Sequence, residues 1–298
     1  MNLRAEDAFR ADIVEVGRRM YARRYVASND GNISIRLDDS TILTTPKGVS
    51  KGFMTPDMMV VTDLQGRKIR GTRDASSELL MHLEVYKNRP DARAVVHAHP
   101  PIATGFAVAG IPLDRAVLAE VVTTLGSIPI AEYGTPSTPE LPEAVRKYIK
   151  AYDGLLLANH GALTVAGDVF GAYYKMETIE HFARISLVAR QLGREHLLSR
   201  GEVEKLQGLR GNYGIKSPAP ICADGSSSVP TDADPANCQI VQAPASSGAR
   251  LVADDPGQDA LNISAGLADK DGEIRLSYRE LTALIEDAVK ALLGGQHG

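Results

Sequence analysis

Residues 76–101 read SSELLMHLEVYKNRPDARAVVHAHPP. The first half, 76–88, is rich in helix-forming residues and stops before Pro90, a residue that cannot continue a helix. The second half, 94–98, is an apolar run of strand length. A helix feeding directly into a buried strand is the repeating unit of an α/β domain. The strand also carries a message of its own. Side chains two apart on a strand point to the same face, so His97 and His99 can present two imidazoles to one ion. On this stretch alone, a pair of hydrogen-bonded histidines at a strand end is an equal alternative.

Working outward, the rest of the first two-thirds of the chain keeps the α/β pattern. Residues 5–24 space Ile13, Val16, Met20 and Tyr21 as an amphipathic helix. Residues 31–37, 41–45 and 58–62 read as strands, the second ended by Pro46 and Gly48. Residues 139–152 and 168–193 read as helices, and 154–158 as another apolar strand. This strand runs into Asn159-His160-Gly161, which delivers a third histidine to a glycine turn. Alone, His160 reads more readily as a capped core histidine. Together the two segments give three imidazoles at the ends of buried strands, and three protein ligands plus an open position is the usual layout of catalytic zinc.

Three further segments can bind anions. Ser76 and Ser77 open the predicted 76–88 helix, where free N–H groups and the helix dipole favour negative charge, although a plain N-cap explains them as well. Asn29-Asp30-Gly31-Asn32-Ile33-Ser34 and Thr45-Pro46-Lys47-Gly48-Val49-Ser50 are glycine-bearing turns beside short strands. The remaining histidines, His82, His181, His196 and His297, are not assigned to metal.

These segments together resemble the class II aldolase/adducin family. The match is carried by GNIS (31–34), TPKGVSKG (45–52), the 76–101 stretch and NHGAL (159–163), and it covers roughly residues 5–215. The resemblance implies a three-layer α/β/α fold on a mostly antiparallel sheet, assembled as a homotetramer with sites between subunits. It implies one zinc ion per subunit on His97, His99 and His160. Glu78 is the implied catalytic base and can also approach the metal. It implies substrate phosphate at Asn32, Lys47, Gly48, Ser76 and Ser77, with Lys47 standing where many relatives have Ser or Thr. Tyr213 resembles the tyrosine of a C-terminal segment that closes over the site. A second family tyrosine is missing, because Leu118-Ala119-Glu120 stands in the corresponding stretch. The implied reaction is retro-aldol cleavage of a ketose 1-phosphate to dihydroxyacetone phosphate and an aldehyde. In the branch most similar to this chain, which acts in fucose and rhamnose breakdown, the substrate is L-fuculose 1-phosphate and the aldehyde L-lactaldehyde. The same fold also serves sugar-phosphate 4-epimerases, sugar-acid phosphate decarboxylases and the non-catalytic module of adducin.

Composition narrows the remaining classes. With a net charge of −4 over 298 residues, there is no basic field for nucleic acid or an anionic membrane. Two cysteines, Cys222 and Cys238, cannot form a disulfide framework, and no apolar run approaches the roughly 20 residues of a membrane helix. The N-terminal residues do not form a signal-peptide pattern, so the expected location is the cytoplasm.

The domain expected at 1–215 is followed at 216–273 by a segment rich in Pro, Ser, Ala, Gly and Asp, expected as a flexible linker. Within 274–298, Leu281, Leu284, Ile285, Ala288, Val289, Leu292 and Leu293 form one apolar helical stripe. A Ser277/Glu280 capping box opens it and Gly294-Gly295 stops it. Such a helix can pack on its own enzyme. It also resembles the encapsulation peptides that dock enzymes on shell proteins in the lumen of bacterial microcompartments.

Overall fold

The computed structural model describes residues 3–215 and 217–221. The predicted linker from residue 222 onward and the C-terminal helix at 274–298 lie outside the described residues. Eight strands form one sheet in the order β4-β3-β2-β1-β5-β8-β7-β6. They are β1 (Asn32–Arg36), β2 (Thr41–Thr44), β3 (Val60–Asp63), β4 (Lys68–Arg70), β5 (Ala94–Ala98), β6 (Ile130–Ala131), β7 (Gly154–Leu157) and β8 (Gly161–Ala166). All neighbours pair antiparallel except β6 with β7, so the sheet is mostly antiparallel, as the family pattern implies.

Helices cover both faces because the central strands are apolar on both sides. On β5, Ala94, Val96 and Ala98 face a core shared with α1 (Leu3–Ala22), α3 (Pro101–Val108) and α6 (Val169–Gln191). Val95 on β5, and Leu163 and Val165 on β8, face a second core with α2 (Leu79–Asn88) and α5 (Glu140–Arg146). The result is three layers, α/β/α. Two further helices, α4 (Ala119–Thr124) and α7 (Arg200–Gly208), complete the α-helices among the described residues, with Val122 and Val203 packing together between them. No helix among the described residues is long and apolar enough to cross a membrane.

Three details differ from expectation. The helix predicted from residue 76 begins at Leu79, with Glu78 as its cap residue. The serines are held out of it because Ser76 N–H donates to the Thr45 carbonyl at 3.1 Å and Ala75 bridges to Pro46. The ordered domain also runs past residue 215. Ala219 is fully buried and its N–H reaches the Ala151 carbonyl at 2.8 Å. Ser127 donates to the Pro220 carbonyl at 2.6 Å, and the buried Arg210 guanidinium binds the Ser217 carbonyl at 2.9 Å. Tyr21, placed on the apolar stripe of α1, is instead 42% exposed and packs edge-on against Phe53.

Candidate active site

Register decides which side chains meet. In the antiparallel β1–β5 pair, Asn32 stands directly opposite His97, and side chains directly opposite share a face. His97 lies two residues from Val95, so it shares the face that carries α2. That helix starts at Leu79, which leaves Glu78 at its mouth, above Asn32 and His97. His160 arrives from the turn between β7 and β8. There Asn159 adopts a left-handed backbone, φ 55°, which reverses the chain immediately before His160. The next residue must be glycine for a steric reason. A Cβ at Gly161 would lie 2.5 Å from the Ala98 carbonyl and 2.6 Å from the His99 ring.

The three imidazoles converge. One ligand nitrogen from each of His97, His99 and His160 lies within 4.8 Å of the others. The rings stand at 60–66° to one another with centroids 4.8–5.1 Å apart. His97 Nδ1 is 2.9 Å from the Ala162 carbonyl, which fixes the proton on Nδ1 and leaves the Nε2 lone pair facing the cluster. His99 turns Nδ1 toward Asp30 at 3.6 Å, and its Nε2 comes within 3.1 Å of His97 Nε2. Burial is the main reason that His97 and His99 titrate below the ordinary histidine range, with the neighbouring imidazoles adding to it. Both are therefore neutral at pH 7, as a metal ligand must be. Ring nitrogens this close, one from each histidine, can share a single divalent cation. The set of three nitrogen donors fits a divalent ion such as zinc.

Glu78 closes the arrangement. Its Oε1 lies 3.0 Å from His160 Nε2 and its Oε2 lies 3.5 Å from His97 Nε2. Asn32 Nδ2 donates to Oε2 at 2.8 Å. Burial pushes the Glu78 carboxyl up, but the His160 hydrogen bond, the two histidines and the Asn32 amide outweigh it and hold the group ionised. A carboxylate held beside three imidazoles can serve as a ligand or as a base.

The residues read as phosphate-binding also come together in part. The 45–48 and 74–77 turns lie side by side, joined by Ser76 N–H to Thr45 O and by Lys47 N–H to Asp74 O at 2.9 Å. Gly48 has φ +72° and open space where a Cβ would stand, and the Lys47 side chain is exposed. Asn32 Oδ1 and Ser50 Oγ are buried without a partner among the described residues. Tyr213 lies elsewhere in the contact pattern. It sits in a 3-10 turn after α7, is 67% exposed, and has none of the contacts that join Glu78 to the histidines. Leu118 and Glu120 line a cavity of about 630 Å³ with Arg23, His181 and Arg184, separate from the three histidines.

Some partners were missed in the sequence. Asp30 faces His99 and sits in a turn read only as an anion nest. His82, one turn after Glu78, is fully buried, and its Nδ1 meets Ser34 Oγ at 2.7 Å. Ser34 Oγ in turn meets Tyr86 OH at 2.8 Å. Burial lowers His82 to about 3, so it is a neutral strut between α2 and β1. The signal for it was the polar series 78, 82, 86, four residues apart and so on one side of the helix.

Comparison with known proteins identifies relatives of the chain. The profile of the Class II Aldolase and Adducin N-terminal domain matches residues 11–187. An L-fuculose phosphate aldolase of Methanococcus maripaludis is 35% identical over 181 residues, which is 61% of this chain and 97% of that protein. A 3-oxo-tetronate 4-phosphate decarboxylase of Pectobacterium atrosepticum is 31% identical over 191 residues, 63% of this chain and 87% of that one. Among solved structures, an L-fuculose 1-phosphate aldolase superposes with a TM-score of 0.64 at 29% identity, covering 67% of this chain and 95% of its own.

Proposed function

The chain belongs to the class II aldolase and adducin family, and from that premise we propose that it cleaves a ketose 1-phosphate to dihydroxyacetone phosphate and an aldehyde. It is a metal-dependent enzyme of the class II aldolase type. The observation that carries the finer reading is the convergence of His97, His99 and His160 with the Glu78 carboxylate 3.0 Å from His160. L-fuculose 1-phosphate, yielding L-lactaldehyde, is the substrate proposed, and zinc is the ion proposed.

The ion, when bound by the three histidines, supplies a Lewis acid that polarises the substrate carbonyl. The chain's own residues do the rest. Glu78, ionised and free of any lysine or arginine partner among the described residues, takes or returns the proton at the carbon beside that carbonyl. Asn32 fixes Oε2 of Glu78, so the carboxylate does not have to search for its position. The 47–48 and 76–77 turns hold the phosphate and set which carbon reaches Glu78. Assembly as a homotetramer, and Tyr213 closing over the site, are part of the same reading.

The phosphate assignment has a direct test. Ser76→Asp puts a carboxylate in the cradle, and like charges at about 4 Å repel by on the order of 1–4 kcal/mol. Binding of dihydroxyacetone phosphate should weaken by at least about tenfold, while bound metal stays constant. Unchanged affinity would move the phosphate elsewhere. A second reading is favoured by the similarity to the decarboxylase: a sugar-acid phosphate in place of the ketose. Its product includes carbon dioxide, and its cleavage yields no aldehyde, so product analysis separates the two.

For residues 274–298 we propose docking to a microcompartment shell protein. An amphipathic helix of about 16 residues is marginal alone in water, so its stripe needs a covering surface. Because residues 217–221 are packed into the domain, the boundary to test is Ile221 rather than residue 215. A chain ending at Ile221 should keep its activity within about twofold, since the packed core is untouched. Loss of the fold on that truncation would assign the helix to the enzyme's own core.

A further inference from the structure

Lys51 opens the short 3-10 turn Lys51–Phe53, is only 2% exposed, and has no assigned role in the reading above. A buried ammonium is costly unless an anion faces it closely. Here Nζ donates instead to two backbone carbonyls, Asn29 at 2.8 Å and Val49 at 2.8 Å. Among the described residues it makes no ion pair. Burial brings its pKa down to about 8, with the charges of Asp30 and Glu78 acting in the opposite direction. The backbone beneath it has no slack. A Cβ on Gly17 of α1 would lie 2.6 Å from the Lys51 carbonyl and 2.5 Å from Met54.

The two carbonyls belong to two different turns of the site. Asn29 precedes Asp30, which faces His99, and Gly31-Asn32, which leads to the Glu78 amide contact. Val49 follows Gly48 in the other turn. We propose that Lys51 is a positioning residue that ties the metal-side turn 29–32 to the turn 47–50 and serves as buried countercharge for a phosphate held there. This rests on the reading of 47–48 and 76–77 as the phosphate cradle. The physics is that of a point charge bonded to the carbonyl of Val49, the residue after Gly48, in a medium where charge is poorly screened. The ammonium lacks a close anion until one binds, so part of the cost of its burial is recovered only in the complex. The tie also means that an anion at one turn stiffens the other.

The test uses the metal-loaded full chain with inorganic phosphate as the probe. Lys51→Met keeps the length of the side chain and removes the charge. The expected result is unchanged bound metal with phosphate affinity lowered by about tenfold or more, while Lys51→Arg stays within about threefold of wild type. Ser76→Asp is run beside them. If Ser76→Asp weakens phosphate binding and Lys51→Met does not, the Lys51 proposal fails and the cradle stands. If neither substitution matters, both fail. Should Lys51→Met not fold, amide exchange on the wild type decides. Phosphate should then protect amides in 29–32 as well as in 47–50, and protection confined to 47–50 would overturn the tie.

Discussion

Replacing His97 by alanine is expected to strip the ion from the protein and to lower turnover by about three orders of magnitude. The size follows from the Lewis-acid contribution, several kcal/mol of transition-state stabilisation, at 1.36 kcal/mol per tenfold. His97 is the fully buried member of the cluster, and its tautomer is set by the Ala162 carbonyl. Without it, His99 and His160 remain as two donors, fewer than the three that catalytic sites use. The substitution also leaves the Ala162 carbonyl without its side-chain partner, at a cost of about 1–3 kcal/mol. His99→Ala is therefore the companion variant, because the His99 side chain is 26% exposed and its loss disturbs less packing. Metal analysis, thermal unfolding and turnover on the same preparations separate the effects. A His97→Ala protein that keeps a full complement of metal would remove His97 from the ligand set.

The second large effect is expected at Glu78. Glu78→Gln preserves size, and its remaining oxygen can still accept from Asn32, so fold and bound metal should persist. What it loses is the proton acceptor, and a positioned general base contributes about 10²–10⁴-fold. The loss should fall on kcat more than on KM, because the amide still fills the space the carboxylate occupied. Turnover within about tenfold of wild type would show that another group moves the proton. His82 does not offer one readily, since it is fully buried and engaged with Ser34.

Much of this was legible in the sequence. The 94–98 strand is seen as read, with His97 opposite Asn32 and the three histidines gathered. Period-two alternation places His97 on a definite face, and a glycine after His160 is readable as a turn. The start of α2 was not legible, because Ser76 is held to Thr45 and Ala75 to Pro46, about thirty residues earlier in the chain. Local propensity cannot see a partner at that separation. The same limit hid Asp30 behind His99 and Lys51 beneath two turns. Both roles depend on which loops the sheet brings together. The packing of residues 217–221 was hidden for a related reason. Residues 217–221 look like the start of a Pro- and Ser-rich linker, yet a backbone bond to Ala151 and side-chain bonds from Ser127 and Arg210 hold them to the domain.

The central claim is that metal held by His97, His99 and His160 is required for cleavage of a phosphorylated ketose. The measurement that tests it most directly is release of dihydroxyacetone phosphate from L-fuculose 1-phosphate and a panel of related ketose 1-phosphates, followed before chelation, after chelation and after readdition of zinc. The account predicts release by the loaded enzyme, loss of that release when the ion is removed, and recovery when it is restored. Undiminished release by a protein from which the metal has been stripped would contradict it.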